Sequence, residues 1–397
     1  MTSVVTLLAP RRKVPVLASS ARRLIAAAAF AIVVIAPRPT AAQPRLPDHL
    51  TDAEFWQLVG TISEPGGYFR MDNWTSNEME VGQLFTMLRD GGHAGGVYMG
   101  VGPEQNFTYI ASIKPAMAFI VDIRRQAVMQ HLMYKAIFEM SRDRADFIST
   151  LFSLPRPRDV DSATAIGQLW TAFTAETADS AMHARDYQRI LDDLTKTHSF
   201  TLTDEEVGFI KNVYDTFFST GPTITSGGRR GGYGGGGGFG GGGGFGGGRG
   251  GRGGGNFITL TSQSTDAAGQ VQSFLVSHET FMTLKTLEGK NLVVPASGDF
   301  GGPKAIRAVG QYIRDHGATV TAFYISNVEQ YLFQDNKQAA FYANAATLPV
   351  NATSVFIRPY ALRQYTAPAG LCPIDAFVKS FEAGKVNTYQ DALTCPQ

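Results

Sequence analysis

Two glycines and a carboxylate stand at the spacing that holds a nucleoside. Gly96-Val-Tyr-Met-Gly-Val-Gly-Pro-Glu-Gln105 reads as an apolar strand running into a glycine turn, and Ala116-Met-Ala-Phe-Ile-Val-Asp-Ile-Arg124 as the next strand, ending in Asp122. In a doubly wound sheet, bare main chain at Gly100 and Gly102 lets a ligand approach closely, and a carboxylate one crossover later accepts hydrogen bonds from both ribose hydroxyls. The dinucleotide fingerprint is incomplete. Gln105 stands where a third small residue would let the helix pack, and Glu104 at the helix head repels a pyrophosphate. Both features count against NAD and FAD. S-adenosylmethionine has no phosphate and carries a sulfonium and an ammonium, so Glu104 suits it, and the chemistry is then methyl transfer. Without a ligand, the same glycines make a tight strand-to-helix turn.

Other residues compete for a role. Gly298-Asp-Phe-Gly-Gly-Pro-Lys304 lacks the spacing of a phosphate loop, and Pro303 removes an amide donor, so a helix start with proline in its first turn explains it better. Asp299 still falls just beyond a strand's carboxyl end, where such folds place catalytic groups. Ser326-Asn-Val-Glu-Gln-Tyr331 follows the next strand, with Ser326 or Asn327 expected to cap a helix. Asp299 and Glu329 are the candidate bases for a methyl acceptor. Asp72, Asn77 and Glu78 precede the first strand and are placed to fold over the site. His131 and His278 have no metal-ligand spacing, and no metal is expected. Gly-x-Ser-x-Gly, His-Glu-x-x-His and Cys-His nucleophile patterns are missing from the chain.

These residues need a parallel sheet behind them. Alternating segments predict strands ending at Gly100 and Asp122, then at 291–295, 318–325 and 354–358, with helices between them. That is a doubly wound, mostly parallel α/β fold, Rossmann-like, with extra helices. Thr51 to Glu54 and Thr203 to Glu206 read as capping boxes. A long amphipathic stretch spans 125–153, and further helices are expected at about 79–90, 162–176, 180–196, 203–218, 278–287 and 303–316. Between 227 and 255, 22 of 29 residues are glycine, so the run cannot bury enough apolar surface to fold and is expected to be a disordered loop insertion. Its Arg-Gly-Gly triplets and spaced aromatics resemble RNA-binding tails, although nucleic acid is not the expected partner. The domain plan is therefore a signal peptide at 1–42, a first part at 43–226, the insertion at 227–255, and a second part at 256–397.

The ends of the chain bear on where it works. Basic residues from Arg11 to Arg23 lead into an uncharged run, Leu24–Ala36, too short to span a bilayer, which needs about 20 residues. With Thr40-Ala-Ala42 following, this reads as a secretory signal cleaved after Ala42 and a periplasmic or secreted mature chain with no membrane span. Arg22 and Arg23 leave the twin-arginine route open. Cys372 and Cys395 are then expected to form one disulfide stapling the C-terminal tail. A net charge of +1 gives no global field toward nucleic acid or acidic lipid.

Gly-Val-Gly-Pro-Glu-Gln-Asn-Phe107, Phe-Ile-Val-Asp-Ile-Arg-Arg125, Gly-Asp-Phe-Gly-Gly-Pro-Lys304 and Phe-Tyr-Ile-Ser-Asn-Val-Glu-Gln-Tyr331 resemble the signature of a family of bacterial proteins. That family is similar in fold to class I S-adenosylmethionine-dependent methyltransferases. The resemblance covers about 50–360 apart from the glycine insertion. It implies that Gly100 and Gly102 face the methionine part of the cofactor and Asp122 its ribose. Many methyltransferases have glycine at the position of Glu104. A binding or scaffolding protein on the same fold is the alternative that these residues allow.

Overall fold

Short apolar runs build the centre of the molecule. Met117-Ala-Phe-Ile-Val121 and Val293–Ser297 are buried along their whole length, the pattern of strands covered on both faces. The structure is a computed structural model that describes residues 45–78, 81–227, 255–359 and 370–395. The expected signal segment, and residues 228–254 of the expected insertion, lie outside the described residues. No helix among the described residues is long and apolar enough to cross a membrane.

Among the described residues, six strands form one sheet: β1 (Val97–Gly100), β2 (Met117–Asp122), β3 (Val293–Ser297), β4 (Val320–Tyr324), β5 (Val355–Ile357) and β6 (Leu371–Pro373). Their order is β3-β2-β1-β4-β5-β6, parallel except for the antiparallel edge strand β6. Pro373 sits on that edge, where a missing amide donor costs no ladder bond. The order reverses between β1 and β4, and ligands of doubly wound sheets bind at such a switch point, at the strands' carboxyl ends.

Fifteen α-helices are described, among them α1 (Asp52–Ile62), α2 (Gly82–Asp90), α3 (Gln105–Ile113), α4 (Arg125–Met140), α5 (Arg144–Phe152), α6 (Ile166–Thr174), α7 (Ser180–Asp192) and α8 (Asp204–Thr220). After the insertion come α9 (Phe257–Ser262), α10 (His278–Gly289), α11 (Ala305–Asp315), α12 (Val328–Gln334), α13 (Gln338–Ala345), α14 (Ile374–Glu382) and α15 (Tyr389–Leu393). Both expected capping boxes are formed, Thr51 with Glu54 and Thr203 with Glu206. The stretch expected to run unbroken over 125–153 is two helices. Ser141 turns extended, and Asp143 caps α5 by accepting from the Ala145 and Asp146 amides. A five-residue π-helix, Asp193–Thr197, extends α7.

The described residues form one unit. Thr225 and Asn256 pair across the base of the insertion, so the chain leaves and re-enters at one place. Cys372 and Cys395 are joined, with Cα atoms 5.7 Å apart, tying the α15 end to β6.

Candidate functional site

A cleft of about 320 Å³ opens at the carboxyl ends of β1 to β4. Its floor is Val101 and Gly102 after β1, Asp122 and Ile123 after β2, Gly298 to Phe300 after β3, and Ser326 to Val328 after β4. Residues 64–78 cross above it as a strap. The Glu64 amide donates to Ser297 O and the Gly67 amide to Ile123 O, each at 2.7 Å. Farther along, the Arg70 guanidinium lies 5.3 Å from the centre of the Tyr331 ring, and Phe69 meets that ring edge-on.

Gly102 has φ +77 with open space where a Cβ would stand, and it lines the cleft. Gly100 does not face it. A Cβ there would collide with Asn106 Oδ1. Asn106 accepts from the Tyr98 hydroxyl at 2.9 Å and donates to the carbonyls of Val101, Gly102 and Pro103 at 3.0, 3.0 and 2.7 Å. It therefore staples the whole turn to α3, a role that an asparagine in the first turn after a glycine loop could have signalled. His131 Nε2 lies 2.9 Å from the Gly102 carbonyl and donates to it. Burial pushes the His131 pKa down to about 4, so the ring is neutral.

Asp122 is also on the cleft. Its Oδ1 accepts from the Arg124 amide at 3.0 Å and lies 3.4 Å from Arg124 Nε, while no described residue donates to Oδ2. Arg124 reaches on to the Met71 and Asp72 carbonyls and fixes the strap against β2. Glu104 is not among the lining residues. It is buried at the head of α3, where Oε1 accepts from the Thr75 hydroxyl and, at 3.0 Å, from the Ser76 amide, while Oε2 has no partner among the described residues. Burial pushes its pKa up to about 7 against those two donors. Its work is to hold the strap.

The two candidate bases differ in place. Asp299 lines the cleft with both oxygens engaged, Oδ1 by the Gly301 amide at 2.9 Å and Oδ2 by Lys337 Nζ at 2.7 Å. Glu329 is not brought to the cleft. It is buried in a two-pronged ion pair with Arg358, at 2.8 and 2.7 Å, and accepts from the Tyr342 hydroxyl at 2.6 Å. Neither Ser326 nor Asn327 caps α12 with its side chain. Ser326 donates instead to buried Glu78, and Asn327 Oδ1 lies 3.5 Å away.

The loop before α11 is filled from inside the protein. Glu64 Oε1 accepts from the Lys304 and Ala305 amides, each at 2.8 Å, and Oε2 from the Asp299 amide at 3.3 Å. A carboxylate thus sits where a helix start would draw an external phosphate. Pro303 lies before the helix, which begins at Ala305 with Lys304 as its cap residue.

Residues 73–215 and 258–394 match the family model described as domain of unknown function DUF7790. The chain belongs to the DUF7790 family. Most of the DUF7790 match is the doubly wound unit, and its gap contains the glycine-rich insertion. Gly102, Asp122, Asp299 and Ser326 lie inside the match, whereas Tyr68, Phe69 and Arg70 of the strap lie outside it. No curated protein matches this DUF7790 chain.

Away from the cleft, potential ligand atoms of Glu139, Asp193 and His198 come within 4.8 Å of one another. The His198 nitrogens are both engaged, Nδ1 with Asp52 and Nε2 with Glu139, each at 2.7 Å. Lys135 adds a cation 2.6 Å from Glu139. This is an ion-pair network joining α1, α4 and the π-helix.

Proposed function

We propose that the cleft binds a nucleoside-type ligand without phosphates, S-adenosylmethionine first among them, and that the protein acts as a methyltransferase. One observation carries this reading: Gly102 and Asp122, at the ends of adjacent strands, border the same cleft at the switch point of the sheet. The donor set fits the ligand. Asp122 Oδ2 is the acceptor for ribose hydroxyls, and Gly102 allows close approach of main chain. Phe69 and Phe300 supply apolar wall, and Tyr68, 85% exposed, stands at the mouth. Phosphates do not fit, because Glu64 fills the α11 start and Pro103 offers no amide at the glycine turn.

When bound, the cofactor supplies a methyl group on a sulfonium. The chain's part is to hold the ribose at Asp122, exclude water beneath the strap, and place an acceptor beside Ser326 and Asp299. Binding without catalysis is the second reading. It is favoured by the engagement of both Asp299 oxygens and the enclosure of Glu329, which leave neither expected base free.

Calorimetry with S-adenosylmethionine and its demethylated product tests the proposal. Both are expected to bind, and Asp122→Ala is expected to weaken each by about 10- to 100-fold, the loss of hydrogen bonds to a charged acceptor. Absence of heat from both ligands would overturn it. Binding with no methyl transfer to any offered acceptor would favour the second reading.

A further inference from the structure

The end of β4 holds chemistry that nucleoside binding leaves unused. Ser326 lies between β4 and α12 with φ +49, a left-handed conformation that serine rarely takes and that clusters at functional sites. It lines the cleft, and its hydroxyl donates to Glu78 Oε1 at 2.6 Å. Glu78 is buried, and its Oε2 accepts from the Tyr324 hydroxyl at 2.7 Å, so the carboxylate is held by a second donor. Burial, with the Glu78 charge adding, raises the Tyr324 pKa well above its ordinary value, which keeps that donor protonated. A serine on a tight strand-to-helix turn with a fixed acceptor on its hydroxyl is the local arrangement of an activated nucleophile. The amide of the following residue, Asn327, has no acceptor among the described residues, and Asn327 lines the same cleft. It is the available donor for an oxyanion. Among the described residues no histidine lines the cleft, so a carboxylate takes the place that imidazole holds elsewhere.

We propose that Ser326, with Glu78 as its base, is a nucleophile that accepts the acyl group of a small carboxylic ester bound in the cleft. Ser326 Oγ bonds to the carbonyl carbon while its proton passes to Glu78. The bond from that carbon to the ester oxygen breaks with its electron pair on the oxygen, and the alcohol departs with the proton from Glu78. Water then adds to the acyl-serine carbon, giving a proton to Glu78. Cleavage of the serine ester returns that proton to Oγ and releases the acid. The overall change is ester plus water to alcohol plus acid, with no oxidant, metal or cofactor.

The test is covalent labelling of the purified chain with an alkyl fluorophosphonate, whose phosphorus takes the serine oxygen as fluoride leaves, followed by peptide mass mapping. Wild type is expected to carry the label on Ser326, Ser326→Ala to lose it, and Glu78→Gln to label about 100-fold more slowly. The rate in wild type should fall as acid protonates the base, and that fall should vanish in Glu78→Gln. Should Glu78→Gln not fold, Tyr324→Phe, which leaves the carboxylate in place, is expected to slow labelling and shift its pH profile. Label on Ser326 no greater than in urea-unfolded protein, or equal rates and pH profiles in wild type and the variant that folds, would overturn the proposal. Labelling needs no nucleoside, so its failure leaves the calorimetric result standing, and the reverse also holds.

Discussion

Asn106 and Gly100 are one device made of two residues. The asparagine spans three carbonyls and a tyrosine hydroxyl, and it fits only because position 100 has no side chain. Gly100→Ala is therefore expected to drive Asn106 out and leave buried polar groups unpaired, at a cost of about 2–3 kcal/mol. Urea unfolding measures this, and ligand affinity should fall with it because the Gly102 carbonyl is left with His131 as its one remaining donor among the described residues. At this scale the sequence carried part of the site. Gly102 and Asp122 were readable because strand-end glycine and carboxylate recur at a fixed spacing. The enclosure of Glu329 was not, because Arg358 lies 29 positions away and arrives only when β5 pairs with β4. The Glu64 plug was hidden for the same reason, with its partners some 240 positions distant.

Among elements, α1, α4, α10 and the π-helix after α7 meet around charges removed from water. His198 is raised from its ordinary pKa by its hydrogen bond to Glu139 first, against burial, and by Asp52. Glu288, in α10, is pushed up to about 8 by burial, which the nearby Lys135 opposes and Glu139 assists. Both groups bind protons more tightly folded than unfolded. The His198 contribution is thus complete below its unfolded pKa of 6.5 and lost as pH rises through the folded value. Glu288 acts in the same direction, costing stability as pH climbs from its ordinary 4.5 to about 8. Glu288→Gln cannot ionise, so it is expected to match wild type near pH 4.5 and exceed it at pH 8.5, by an amount on the order of 3 kcal/mol. Thermal unfolding across that range measures the crossing; equal slopes for both proteins would refute it. The helices themselves were legible where capping residues are local, as at Thr51 and Thr203. The break at Ser141 to Asp143 was masked by apolar periodicity on both sides. The π-helix and the short segments α9, β6 and α15 have too few residues for a period to register.

For the whole molecule, the question is how a chain interrupted by a glycine-rich run makes one unit. The sheet answers it: β1 and β2 come before the run and β3 to β6 after it, and β2 pairs β3 over five residues. Alternating strand and helix made this topology readable, and the even cysteine count made the tail staple readable. The Cys372–Cys395 link spans 23 residues, worth about 3 kcal/mol in a chain-entropy account. At the insertion, the Thr225–Asn256 bridge and the Phe257 amide bond to Ile224 O at 3.1 Å close the base, so both parts of the domain are joined before the run begins. Replacing 228–254 by a few Gly-Ser residues exchanges one long closure for a shorter one, and closure entropy changes only with the logarithm of length, by about 0.6 kcal/mol per doubling. Such a protein is expected to unfold within a few degrees of the full chain and to bind the cleft ligand with the same affinity. A large fall in either would mean that the glycine-rich run contributes contacts to the domain, and would place part of the site within it.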